Sequence, residues 1–61
     1  MRIKLLLKDE SEVILDVTQE QKKEINREIE GNLPYIAEYK TIDNRIIIGT
    51  EIVRIIYLKE W

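Results

Sequence analysis

The chain has 61 residues and a formal net charge of −2, so it can form one small domain and has no overall basic charge that would indicate nucleic-acid binding. It contains no cysteine and no histidine, which excludes disulfides, thiolate metal sites and the usual zinc or histidine-base chemistry. No apolar run approaches the roughly 20 residues of a membrane span, and the amino-terminal segment lacks a signal-peptide core. We therefore expect a single cytoplasmic domain over residues 1–61, without a cofactor.

The first part of the chain predicts a β-hairpin. Apolar residues alternate with charged ones over Arg2–Lys8 and again over Glu12–Val17, which is the period of a half-buried strand. A three-residue loop, Asp9–Ser11, pairs Lys8 with Glu12 and places both apolar stripes on the same face. These stripes consist of Ile3, Leu5, Leu7, Val13, Leu15 and Val17.

A helix is predicted next, over Gln19–Glu30. The segment Thr18–Gln21 has the capping-box pattern, in which two side chains satisfy backbone N–H groups at the start of a helix. Gly31 supplies a stop signal at the other end. The only apolar residues of the helix are Ile25 and Ile29, so we expect a narrow stripe that lies across a sheet and leaves the other face in water.

A second hairpin is predicted after the helix. Residues Tyr35–Ile42 alternate as a strand, and Asp43-Asn44 suits a two-residue turn because both residues tolerate positive φ. That turn pairs Tyr39 with Ile48 and directs both towards the core. The three residues Gly49–Glu51 then interrupt the strand, as a single helical turn.

The last strand, Ile52–Leu58, is apolar on both faces apart from Arg54, and Ile46–Ile48 is apolar throughout. One short helix cannot cover both faces of such a sheet. Either the sheet curls into a small, partly open barrel, or a second copy or another partner covers the second face. In both cases we expect an α+β fold of order β-β-α-β-β-β, with two hairpin-like units flanking the helix.

The face assignments separate core residues from interface residues. In the second half of the chain the predicted core consists of Tyr39, Ile48, Val53 and Ile55, in addition to the stripes and the two helical isoleucines. The opposite face is the candidate interface of a homodimer or a partner complex. Its residues are Ile47, Ile52, Ile56 and Leu58, with Trp61 as a further candidate because tryptophan is enriched at interface hot spots.

Catalytic chemistry has little support in the sequence. Asp9, Glu10 and Glu12 surround the only serine, but they lack the ligand spacing and the glycine of a calcium loop. The other carboxylates are dispersed, so no local acid–base pair is evident, and there is no glycine-rich phosphate loop or nucleophile elbow. We interpret the acidic cluster as a soluble hairpin tip and the protein as non-enzymatic.

A set of basic residues supports an alternative function. Arg2, Lys4 and Lys8 lie on the outer face of the first strand, with Arg45 at the second turn and Arg54 on the last strand. Together they could form a surface for RNA or an anionic nucleotide. Basic residues on edge strands also discourage aggregation, and we favour that interpretation.

The segment Asn44–Ile55, with the sequence NRIIIGTEIVRI, resembles the closing strands of many short proteins encoded by phages of Firmicutes. The whole chain is similar to these proteins in size, in its bias towards lysine, glutamate and isoleucine, and in its lack of cysteine. Several of them inhibit host defence systems or host enzymes by binding them or by sequestering their signalling nucleotides. The resemblance implies an accessory inhibitor in the host cytoplasm and assigns no role to any residue.

Three functions therefore compete. The leading hypothesis is a homodimeric interaction protein that blocks a host protein through its sheet surface. The rival is a nucleotide or RNA binder that uses the basic residues, and a third interpretation is a small assembly subunit. Ionic strength separates the first two, because phosphate binding weakens steeply with salt and apolar docking weakens much less.

Overall fold

The computed structural model describes residues 1–59, except for the side chain of Leu58. Within this part the chain forms five strands, one α-helix and a short 3-10 turn. In chain order these are β1 (Arg2–Leu7), β2 (Glu12–Asp16), α1 (Gln19–Glu30), β3 (Glu38–Lys40), β4 (Ile46–Ile48), the 3-10 turn (Gly49–Glu51) and β5 (Ile52–Lys59). The predicted α+β class, the order of the elements and the helical interruption before the last strand are confirmed.

The β1–β2 hairpin forms with a loop one residue earlier than predicted. The Leu7 N–H donates to the Ser11 carbonyl over 2.9 Å, so the three-residue loop is Lys8–Glu10. The predicted pairing of Lys8 with Glu12 is therefore wrong, and the register moves by two residues. Because this shift is even, the apolar stripes keep their face. All six stripe residues are buried: Ile3, Leu5, Leu7, Val13, Leu15 and Val17.

Helix α1 begins and ends where the sequence predicts. The Gln21 N–H donates to Thr18 Oγ1 over 3.1 Å, and the Thr18 N–H donates to Gln21 Oε1 over 2.9 Å, which completes the capping box. Gly31 ends the helix with a φ of 77°, a left-handed conformation that glycine adopts at low cost. Ile25 is fully buried and Ile29 is partly buried against the core.

The loop of the β3–β4 hairpin has three residues rather than the predicted two. It spans Ile42–Asn44, and Asn44 adopts a φ of 68°. The Thr41 N–H closes the loop by donating to the Arg45 carbonyl over 2.8 Å, and the Arg45 N–H donates to Thr41 Oγ1 over 3.0 Å. The hydroxyl of Thr41 donates in turn to Asp43. These bonds satisfy the buried threonine and favour the longer loop.

The extra loop residue exchanges the two faces of β4. Tyr39 lies opposite Ile47 instead of Ile48, a shift of one residue that turns every side chain of the strand over. Ile47 is 6% exposed, whereas Ile46 and Ile48 are 67% and 40% exposed. The prediction that Ile48 lies in the core and Ile47 at the interface is therefore wrong. The predicted strand Tyr35–Ile42 is also shortened to Glu38–Lys40.

Strand β5 departs from simple alternation at two β-bulges. Its register against β1 shifts twice, so two of its residues have no direct counterpart. Ile52 lies opposite Leu7 and is 5% exposed, whereas Val53 is 43% exposed. The predicted places of Ile52 at the interface and of Val53 in the core are therefore wrong. Ile55, opposite Leu5, is partly buried against the core as expected.

The strands belong to two antiparallel sheets, of order β2-β1-β5 and β3-β4. The Ile42 N–H donates to the Ile14 carbonyl over 3.0 Å, which joins the second loop to the open edge of β2. The buried side chains of both sheets and of α1 form one core, to which Ile47 and Ile52 belong. The result is an open sheet arrangement with one helix packed against β5 and the 3-10 turn.

Candidate interaction surface

The predicted interface residues do not form one surface. Ile47 and Ile52 are core residues and are unavailable to a partner. Ile56 is half-buried. The side chain of Leu58 and all of Trp61 lie outside the described residues. The correction follows from the odd register shift in β4 and from the bulges in β5, neither of which the alternating pattern shows.

Two exposed isoleucines, Ile46 and Ile48, lie instead on the outer β3–β4 face, which we define by the side chains of Glu38, Lys40, Ile46 and Ile48. Glu38 lies directly opposite Ile48, and Lys40 lies opposite Ile46. The four side chains therefore form a square, with the two charges on β3 and the two isoleucines on β4. All four are exposed.

The hydrogen-bond pattern brings the side chains of this square close together. The neighbouring pair Thr41–Arg45 is bonded through the backbone. In an antiparallel ladder bonded and non-bonded pairs alternate, so both cross-strand pairs of the square are non-bonded pairs, the kind in which side chains lie closest. Each isoleucine thus lies beside the stem of a charged neighbour, and the face presents a continuous surface.

A further exposed isoleucine, Ile36, lies two residues before Glu38. It precedes β3 and is 77% exposed, the highest value among the exposed large hydrophobic side chains of the described residues. Scattered single hydrophobic residues are normal on protein surfaces. Ile46 and Ile48 share one face of β4, and this pair, with Ile36 exposed on the segment that leads into β3, is a candidate interaction site.

Helix α1 holds β3 from behind the outer face. The hydroxyl of Tyr39 donates to Glu24 Oε1 over 2.6 Å, and the hydroxyl of Tyr35 donates to the other oxygen of the same carboxylate. These bonds, that from Tyr35 first, lower the pKa of Glu24 from its ordinary value. Burial and the nearby Glu24 carboxylate raise the pKa of Tyr39. The outer face therefore rests on a strand that is fixed to the helix.

A second carboxylate of α1 lies against the 3-10 turn. Glu28 Oε2 is buried and has no hydrogen-bond partner. A Cβ atom placed on Gly49 would lie 2.9 Å from that oxygen, so the close approach depends on the glycine. Sequence reasoning missed both carboxylates of α1, because no local pattern links the helix to residues that lie eleven or more positions further along the chain.

The predicted basic residues form separate ion pairs rather than one cationic site. Arg2 pairs with Asp16 at 2.8 Å, and Lys4 pairs with Glu12 at 3.0 Å. Arg45 lies 3.6 Å from Asp43 within the second loop. Each of these contacts neutralises a cation that the anion-binding hypothesis needs.

Two cations of the predicted set have no carboxylate partner among the described residues. Within residues 1–59, no ion pair involves Lys8 or Arg54. Lys8 is exposed at the first loop, and Arg54 lies on β5 opposite Leu6. Leu6 is two residues before Lys8, and the Lys8 N–H donates to the Glu51 carbonyl just before β5, so these two cations lie near the same end of the three-stranded sheet. Arg45 lies in the loop of the other hairpin, so the structure does not bring the whole predicted set together.

The described residues contain neither a metal-ligand cluster nor a membrane-spanning helix, and the chain matches no known protein in the comparisons. In residues 1–59 no three histidine, cysteine, aspartate or glutamate residues are placed to hold a metal ion together. The same part of the chain has no helix with the length and apolar character needed to cross a membrane. Comparison with protein-family models, curated proteins and solved structures found no match to this chain.

Proposed function

We propose that this is a non-catalytic interaction protein that binds another protein through its outer β3–β4 face. The observation that carries the proposal is the exposure of Ile46 (67%) and Ile48 (40%) on that face, with Ile36 (77%) exposed on the segment that leads into β3. The protein does not use these side chains for its own core, because Ile47 fills that role from the other side of the same strand.

The energetics favour a covered rather than an open face. Full burial of one fully exposed isoleucine is worth roughly 1.5–3 kcal/mol, and covering the exposed parts of these three would provide part of a binding free energy. Association also costs several kcal/mol in lost motion, so the face alone supports a modest affinity. A partner would add contacts at Lys40 and Glu38, which lie beside the isoleucines.

The partner that we propose is a host protein, and the site of action is the host cytoplasm. This step rests on the resemblance of Asn44–Ile55 to the closing strands of short proteins encoded by phages of Firmicutes, several of which inhibit host proteins. The segment that carries the resemblance includes the two isoleucines of β4. Binding there would inhibit or modulate the host protein by covering part of its surface.

A capture experiment tests the proposal. Tagged protein would be incubated with lysate of a Firmicutes host, and the bound proteins identified by mass spectrometry. We expect Ile46→Asp to lose the partner, because a charge would enter an apolar contact. The matched control is Tyr57→Asp, which changes a 45% exposed side chain on the three-stranded sheet and should retain it. A partner captured equally by both variants would contradict the proposed surface.

The rival function, binding of RNA or an anionic nucleotide, has weaker support. Three of its five cations are ion-paired, and within residues 1–59 Lys8 and Arg54 are the two that form no ion pair. If that function is correct, ligand binding should weaken steeply with salt and should depend on Arg54. A partner captured equally well at low and high ionic strength would exclude it.

A further inference from the structure

The outer β3–β4 face is complementary to itself under one particular two-fold rotation. Consider an axis that lies in the plane of contact, runs across the strands and passes between the Glu38–Ile48 row and the Lys40–Ile46 row. Rotation about this axis places Glu38 of one copy over Lys40 of the other. It also places Ile48 over Ile46. From this arrangement we infer that the face is covered by a second copy of the chain, an inference that rests on the proposed docking surface.

The alternative in-plane axis gives no such match. An axis along the strands, between β3 and β4, would set Glu38 over Ile48 and Lys40 over Ile46. Each charge would then be removed from water against an apolar side chain, which is unfavourable. The arrangement of the four side chains therefore selects one orientation, with two ion pairs beside a cluster of four isoleucines.

The charges on β3 are available for these contacts. Within residues 1–59 neither Glu38 nor Lys40 forms an ion pair inside the chain. They are two residues apart on one strand, so they share a face and carry opposite signs. Closed two-fold dimers, in which the same patch meets itself, are the commonest soluble oligomers.

The size of the face sets the expected affinity. A standard protein–protein interface buries about 1,200–2,000 Å² in total, and this square, even with Ile36, covers less than that. The dimer is therefore weak, with a dissociation constant on the order of 10–1000 µM. A stronger partner can displace the second copy from the same face.

Charge reversal tests both the face and the orientation. Glu38→Lys and Lys40→Glu would each be studied by sedimentation velocity up to about 1 mM protein. Each variant replaces two attractive contacts by two repulsive ones, and the dissociation constant should rise about tenfold or more. Glu30→Lys and Lys23→Glu make the same charge changes on the exposed surface of α1 and should leave association unchanged.

An equimolar mixture of the two variants gives the decisive measurement. One copy then carries two lysines at the square and the other carries two glutamates. The two-fold rotation sets position 38 of each copy over position 40 of the other, so both contacts in the mixed dimer join a lysine to a glutamate. The mixture should therefore recover association close to that of the original protein, although each variant alone associates about tenfold or more weakly.

The possible outcomes distinguish this inference from the proposed function. A protein that stays monomeric at about 1 mM overturns the dimer, and the capture experiment with Ile46→Asp then tests the docking surface separately. Association that is lost in Ile46→Asp but unchanged by charge reversal overturns the two-fold arrangement and keeps the surface. Association that survives Ile46→Asp as well places the contact elsewhere and counts against both.

Discussion

The two hairpins of this protein have the same loop geometry and different chemistry. In each, a three-residue loop ends in a left-handed residue, Glu10 with a φ of 70° and Asn44 with a φ of 68°. The N–H of that residue donates to the carbonyl oxygen of the residue before the loop. The pairs are Glu10 with Leu7 and Asn44 with Thr41, each over 3.0 Å. This is the common three-residue connection, a type I turn followed by a left-handed residue. Asparagine tolerates the left-handed region far better than glutamate does.

The hairpins differ most in how a small error in the predicted register changes the predicted burial of their side chains. In β1–β2 the register expected from the sequence is two residues away from the observed one, and the apolar stripes stay inside. In β3–β4 the difference is one residue, and the strand turns over. An even shift preserves a face and an odd shift exchanges it. Loop length, rather than strand composition, therefore decides which isoleucines of β4 meet water.

The strongest test compares neighbouring residues of β4. Ile47→Ala should lower the free energy of unfolding by about 2–5 kcal/mol, because it leaves a cavity in the core. Ile48→Ala, on the exposed side, should change it by less than about 1 kcal/mol in the monomer. Urea denaturation at low protein concentration measures both. The register expected from the sequence requires the reverse order, so a larger loss at Ile48 would overturn the observed pairing.

Low pH should destabilise the protein in part by protonating Glu24, which anchors the second hairpin to the helix. The pKa of Glu24 is lowered by the hydroxyls of Tyr35 and Tyr39, so its contribution to stability is present above the ordinary glutamate pKa of 4.5. That contribution is lost as the pH falls through the lower pKa of the folded state. In Glu24→Gln the loss of stability between about pH 5 and pH 2 should be smaller.

Urea midpoints measured across this pH range would check the prediction. Glu20→Gln, a change at an exposed position of the same helix, is the control and should keep the acid dependence of the original protein. Equal acid dependence in Glu24→Gln and in the original protein would show that the tyrosine bonds contribute nothing to folding.

The elements that the sequence predicts well are those that local chemistry defines. The helix bounds follow from Thr18, Gln21 and Gly31, all within or next to the helix itself. The core of β1–β2 follows from alternation, which tolerates an even error. What could not be predicted depends on distant partners. Examples are the buried hydroxyl of Thr41, which favours the longer loop, and the bulges that β5 forms only against β1.

A smaller effect separates the two left-handed loop residues. Glu10→Gly should stabilise the protein by about 1 kcal/mol, because glycine adopts positive φ without the steric cost that glutamate has. Asn44→Gly should change stability by less than about 0.5 kcal/mol, since asparagine already tolerates this conformation. Thermal denaturation of both variants gives the comparison. Equal gains at the two positions would mean that the residue type in the loop has no influence.

The smallest expected effect concerns how each hairpin is closed at its base. The first is closed by pairing of Met1 with Val17, through two backbone bonds of 2.8 and 3.0 Å. The second is closed by the Gly49 N–H, which donates to the Ala37 carbonyl over 2.7 Å, and there Glu28 of the helix lies against the glycine. The second base is therefore sensitive to a side chain that belongs to neither of its strands.

Gly49→Ala tests this dependence. The new methyl group would meet the end of the Glu28 side chain, which can swing towards water, so the cost should be below about 1 kcal/mol. In a Glu28→Ala background the cost should vanish, because the neighbour is gone. Glu28→Ala alone should be nearly neutral, since it removes a buried oxygen that has no hydrogen-bond partner. A double-mutant cycle from urea denaturation measures the coupling. The same cost of Gly49→Ala in both backgrounds would show that the backbone, rather than Glu28, requires the glycine.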